Sequence, residues 1–212
     1  DVGVMFLNRR SALQDDHNRA FGADGNLLLM RNSLRLSGAL ARTWTPKREG
    51  DNQLGKAELN YATNLLRSSS SVVDIGKNFN PEMGFVRRPG RRQLRNYIEL
   101  RPRFNTKTRL GHYVRDVSVS YLNQQILFKD GGTETKHFVS QGQVFFQDAS
   151  EMGAYYTQNF ERLRRPFAVS RGVALPVGDY NFNESKVWYY PNNSKKISGK
   201  LEYLWEIGRA HV

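Results

Sequence analysis

Ser33-Leu34-Arg35-Leu36-Ser37-Gly38-Ala39-Leu40-Ala41-Arg42-Thr43-Trp44 is the stretch whose pattern decides the fold. Its even positions are Leu34, Leu36, Gly38, Leu40, Arg42 and Trp44; its odd positions are Ser33, Arg35, Ser37, Ala39, Ala41 and Thr43. Successive side chains of a strand point to opposite faces, so this is period two, with one apolar face and one small or polar face. The same alternation recurs outward. From Gly55 to Leu65, Ala57, Leu59, Tyr61 and Leu65 oppose Lys56, Glu58, Asn60, Ala62 and Asn64. Val117, Val119 and Tyr121 oppose Asp116, Ser118 and Ser120, and Ile197, Leu201, Tyr203 and Trp205 oppose Ser198, Lys200 and Glu202. No segment holds a helical period with caps, which predicts an all-β chain.

Turn chemistry separates the runs at Pro46 to Asp51, Pro89-Gly90, Asp130-Gly131-Gly132, Asp148 to Ser150 and Pro191 to Ser194. Asp24-Gly25 fits either a hairpin or the interior of a strand. The best runs approach the 9–11 residues of a transmembrane β-strand and exceed the roughly 5–6 typical of globular proteins. Trp44, Tyr61, Tyr121, Tyr203 and Trp205 fall in line with apolar faces, several near strand ends, as interfacial girdles require. A soluble sandwich also alternates and also buries aromatics, but the pattern favours an antiparallel up-and-down transmembrane β-barrel. Roughly ten strands, at about 15–20 residues for each strand and its connection, would make that barrel incomplete.

Composition bounds the remaining classes. The chain has 212 residues, 32 Lys+Arg against 20 Asp+Glu, no cysteine and 39% hydrophobic residues. Disorder and a disulfide scaffold are excluded. No apolar run is longer than Leu27 to Met30, which is far too short for a membrane helix. The chain opens at Asp1 with neither an initiator Met nor a signal peptide, so we expect it to start within a longer protein or after processing. Residues 206–212, Glu206-Ile207-Gly208-Arg209-Ala210-His211-Val212, are what GAG ATC GGA AGA GCA CAC GTC encodes. Apart from its first base, that string resembles a sequencing adapter. We therefore expect a barrel domain over 1–205 and a non-native tail that carries no structure.

The segment Asp74 to Arg88, DIGKNFNPEMGFVRR, resembles the "FNPEVGFVRR" signature of a largely uncharacterised bacterial outer-membrane family. Phe160-Glu161-Arg162-Leu163-Arg164-Arg165-Pro166-Phe167, with Leu175-Pro176-Val177-Gly178-Asp179-Tyr180-Asn181-Phe182, is similar to its "FERL-x-x-PF … iP-x-G-x-Y-x-F" stretch. Leu100 to Arg103 matches "LRPR", and Arg19 to Gly25 is similar to an upstream "N-R-x-x-G-x-D-G". In that family this region is a domain of unknown function that follows a domain similar to family 9 carbohydrate-binding modules. The resemblance implies residence in the bacterial outer membrane, contact with its lipid and lipopolysaccharide, and anchoring or passage linked to polysaccharide handling. Polysaccharide or oligosaccharide would be met through the upstream domain. The family's glycine- and aromatic-rich continuation is absent after Trp205.

The signature is also legible as architecture. Asn80-Pro81 ends a strand, since proline cannot donate to a ladder. Gly84 permits a conformation closed to other residues, and Phe79 and Phe85 can anchor the loop. Glu82 with Arg87 or Arg88 can form an ion pair within the lumen or at its rim. The other reading of these residues is a plug that contacts a solute.

Candidate chemistry is sparse. His17, His112, His137 and His211 have no metal-ligand spacing, and neither a nucleophile elbow nor a phosphate loop occurs. Glu82, Glu99, Asp116 and Glu161 are carboxylates without a defined pairing. No catalytic residue, cofactor or metal is expected. Arg87, Arg88, Arg91, Arg92, Arg95, Arg101, Arg103, Lys107 and Arg109 face the single acid Glu99 across that stretch. A single-strand nucleic-acid surface is thus one competing class, and a secreted carbohydrate-binding sandwich another. No nucleic-acid module's motif is present, so no nucleic-acid partner is expected.

From Leu94 to Arg103, one face carries Leu94, Asn96, Ile98, Leu100 and Pro102. The other carries Arg95, Tyr97, Glu99, Arg101 and Arg103. A charge facing lipid at mid-depth costs about 2–4 kcal/mol. Arg95, Glu99, Arg101 and Arg103 are therefore expected in the lumen, with Glu99 paired to Arg101, Ile98 and Leu100 towards lipid, and Pro102 at the strand's end.

Overall fold

The computed structural model describes residues 1–12, 16–86, 88–170, 172–196 and 198–210, the last two by backbone alone. Arg87, Ile197, His211 and Val212, named above, lie outside the described residues. The chain is all-β. Its strands are β1 (Val2–Arg10), β2 (His17–Leu29), β3 (Leu34–Trp44), β4 (Gln53–Ala62), β5 (Leu66–Ile75), β6 (Arg91–Leu100) and β7 (Val114–Phe128). They continue as β8 (Thr133–Phe146), β9 (Glu151–Leu163), β10 (Phe167–Ser170), β11 (Val173–Leu175), β12 (Gly178–Tyr190) and β13 (Leu201–Ala210).

Eleven strands form one antiparallel sheet in the order β1-β2-β3-β4-β5-β6-β7-β8-β9-β12-β13, while β10 and β11 pair with each other. Each long strand neighbours the next long strand in sequence. The sheet is not closed into a barrel. Closure needs the first and last strands to pair, and no ladder joins β1 to β13 among the described residues. Two compact units divide the chain. One comprises Asp1–Tyr61, Ser69–Arg95 and Ile126–Gly132; the other comprises Ala62–Ser68, Asn96–Gln125 and Thr133–Val212.

One open reading is settled and two local expectations change. The strand runs straight through Asp24-Gly25, which pair with Ala39 and Gly38. The reversal falls instead at Met30, Arg31 and Asn32, with φ of 50°, 52° and 71° and a hydrogen bond from Ser33 N to Met30 O. Left-handed backbone at a methionine and an arginine carries no turn signature in sequence. The run from Gly55 to Leu65 is a strand only as far as Ala62. Thr63 Oγ1 accepts from Leu66 N (3.0 Å) and donates to Leu66 O (3.1 Å), a local alternative that overrides the alternation and puts Asn64 and Leu65 in a turn. Finally, β13 continues through 206–210, with Glu206 opposite Glu184 and Ile207 opposite Asn183. The expected absence of structure there is corrected, because the unpaired length of β12 templates the strand whatever side chains follow.

Candidate functional site

Burial in both units is inverted relative to a soluble sheet. In the first unit, the register places Val4, Ala23 and Leu40 on one face, as cross-strand partners in turn. Leu27, Leu36 and Leu59 share it further along. Leu40 is 71% exposed. The opposite face carries Asn18, Ala20, Arg9 and Thr43, of which Thr43 is only 1% exposed. In the second unit Ile98 is 46% exposed while its neighbour Glu99 is 7% exposed. Val119, Tyr121, Met152, Val187, Leu201 and Tyr203 are likewise exposed, and Asp116, Ser118 and Thr157 buried. A soluble domain seldom exposes a continuous apolar face of this extent.

The segment after β5 folds over the polar face of the first unit. Gly76 N donates to Gln53 O (2.8 Å) and Asn78 N to Asp51 O (3.0 Å). A Cβ at Gly76 would overlap the Asp51 carbonyl, so glycine is required there by close approach. Phe79 is buried. Asn80 N donates to Thr43 Oγ1 (3.0 Å), and Asn18 Nδ2 donates to Asn80 O (2.8 Å) and Thr45 Oγ1 (2.7 Å). Gly84 N closes a turn onto Pro81 O (2.8 Å).

Two details of the signature differ from expectation, and the expected pairing of Glu82 with Arg87 falls on a residue outside the described ones. Gly84 has no positive φ, and a Cβ there would make only ordinary contacts, so its conformation is open to other residues; Gly76 and Gly90, with φ +68°, are the demanding positions. Phe85 is 86% exposed and anchors nothing, because the turn at Pro81 to Gly84 carries the chain off the face. Glu82 pairs with Arg9 of β1 and accepts from Asn80 Nδ2 (3.3 Å); Arg9 also holds Asp16 (2.8 Å). Arg88 lies exposed in the same loop.

A second fastening, invisible in sequence, centres on Lys129. Its Nζ meets Asp51 (2.7 Å) and Asp74 (2.6 Å), and Arg92 also holds Asp74 (2.8 Å). Lys77 N donates to Asp51 Oδ2 (2.7 Å). Partial burial of Asp51 favours its protonated form, but the hydrogen bonds from Lys129 and the Lys77 amide prevail and hold the carboxyl below its ordinary value. At Lys129 partial burial is likewise outweighed by the two aspartates, which raise the ammonium above its ordinary value.

In the second unit, Arg101 Nε donates to Asp116 Oδ1 (2.8 Å) and Arg115 Nε to Asp116 Oδ2 (3.0 Å). Both guanidinium groups lie over Phe145, at 4.2 and 5.4 Å from its centroid. Glu99 accepts instead from Ser118 Oγ (2.7 Å) and Tyr97 OH (3.1 Å), with Arg67 at 3.5 Å. The expected Glu99–Arg101 pair is thus replaced, because β7 brings Asp116 within reach of Arg101. β6 ends at Leu100, just before Pro102; Arg103 makes an isolated bridge with Asp116 and its side chain is exposed, as is that of Arg95. On the polar face of β9, β12 and β13, Tyr155 bonds Glu184, Lys186 pairs with Glu202 (2.8 Å), and the Trp188 ring rests on Gly153.

Among the described residues no group of three His, Asp or Glu is placed to hold a metal. Compared with protein-family models, curated proteins and solved structures, the chain has no match.

Proposed function

We propose that the chain is a partial β-barrel of a bacterial outer membrane, with its apolar face against lipid and its polar face, with the signature loop seated on it, towards a lumen. The inverted burial carries this reading: in water the apolar face costs free energy at about 25 cal/mol per Å² left exposed, whereas in a bilayer it costs nothing. Strands of ten to fifteen residues, such as β4 and β7, are long enough to cross. The role suggested by the family resemblance is anchoring or passage linked to carbohydrate handling at the cell surface, with no catalysis by this domain. The basic stretch supports a nucleic-acid surface less well, because Arg92 and Arg101 are engaged by Asp74 and Asp116.

The test is extraction of the protein from cells expressing it with its native flanking sequence. Recovery only with detergent, and loss of about 2–4 kcal/mol of folding stability in Ile98→Arg, are expected. A detergent-free soluble monomer that tolerates Ile98→Arg would refute the reading.

A further inference from the structure

The connection between β9 and β12 is built differently from the rest. From Leu163 to Gly178 the sequence holds Arg164, Arg165 and Arg171 and no acid. Pro166 and Pro176 bracket the hairpin of β10 and β11, and proline's missing donor stops the long ladder on both sides. The hairpin pairs only with itself. Phe167, Val169, Val173 and Val177 are each more than half exposed, and Leu175 is exposed as well. Phe167 and Leu175 are cross-strand partners, and Val173 lies two residues from Leu175, so these three share one side, while the register shifts at Val169. The partners Ala168 and Ala174 take the other. The base is fixed by a two-pronged pair between Arg162 and Asp179 (2.7 and 2.6 Å) and by the Tyr180 hydroxyl donating to Pro176 O (2.8 Å).

We propose that this hairpin is an interfacial anchor for an anionic lipid surface, its bulky side in the headgroup boundary and Arg164 and Arg165 at its base towards lipid phosphates. A one-sided apolar element with basic flanks and no acid matches such a surface in both polarity and charge. The proposal rests on the membrane reading above.

Because the chain has no cysteine, Val169→Cys gives a single site for an environment-sensitive fluorophore, and Ile98→Cys gives a separate one on the strand face. Each labelled chain is reconstituted in vesicles of phosphatidylcholine alone or with phosphatidylglycerol, and nitroxide lipids and aqueous iodide serve as quenchers. The expected result is shallow nitroxide quenching and a blue shift at position 169 that increase with phosphatidylglycerol. Both should fall several-fold in the Arg164→Gln, Arg165→Gln double variant. Iodide quenching at 169 with lipid quenching at 98 would overturn the anchor and leave the membrane reading standing. Lipid quenching at 169 that ignores phosphatidylglycerol would overturn the anionic assignment. Water at both positions would overturn the membrane reading and the anchor together.

Discussion

Two long connections, 76–90 after β5 and 164–177 after β9, solve the same problem in opposite ways. The first is rich in Asn, Gly and charge, and it is tied to distant partners: the Asn78 side chain donates to the Glu49 and Gly50 carbonyls, the Asn80 backbone meets the Thr43 and Asn18 side chains, and the Glu82 carboxylate holds Arg9. The second offers few polar side chains, and is fastened at its base by Arg162, Asp179 and Tyr180. A loop folds onto a polar sheet face when it can satisfy the backbone groups it covers. A loop of Phe, Val and Ala between prolines has fewer such groups, and its two strands pair only with each other.

The largest break in this contrast is expected at Gly76. Gly76→Ala forces a Cβ into the Asp51 carbonyl and should cost about 3 kcal/mol, with loss of the loop's proteolytic protection. Urea unfolding of the reconstituted chain, followed by tryptophan fluorescence, measures it. A near-neutral result would mean that the loop does not lie on the face. Next comes Thr43→Val, which leaves the Asn80 amide without its acceptor at a buried position and should cost about 1–3 kcal/mol by the same measurement. In the hairpin, Gly172 has φ +82° but open space around it, so Gly172→Ala should cost only about 1 kcal/mol of left-handed strain and leave the sheet intact.

The smallest expected effect is the pH response. Asp51 has a lowered folded pKa, so its contribution is present above the unfolded value and is lost as pH falls through the folded one. Lys129 has a raised one, so its contribution is full below 10.5 and is lost as pH rises beyond. Solvent screening keeps the effect below about 1 kcal/mol. Protection of the Lys77 amide, corrected for intrinsic exchange, should therefore be flat between these limits and weaken at both. Asp51→Asn should abolish the acid limb.

Local sequence alone determined the class and most of the ladder. Period-two runs at Leu34–Trp44 and at Asp116 to Tyr121 within β7, and turn chemistry at Pro46 to Asp51 and Asp130 to Gly132, act between neighbours and need no tertiary partner to be legible. The assignment of Ile98 to the exposed face and Glu99 to the buried one follows from that period. Which charges meet was decided only by the tertiary structure. Arg9 with Glu82 is 73 residues apart in sequence, and Lys129 with Asp51 is 78. Asp116 takes Arg101 from Glu99 through the placement of β7 beside β6. Such pairs depend on register and on where a loop lands, and composition contains neither. The continuation of β13 into 206–210 has the same origin, since a strand edge offers its donors and acceptors to any backbone that reaches it.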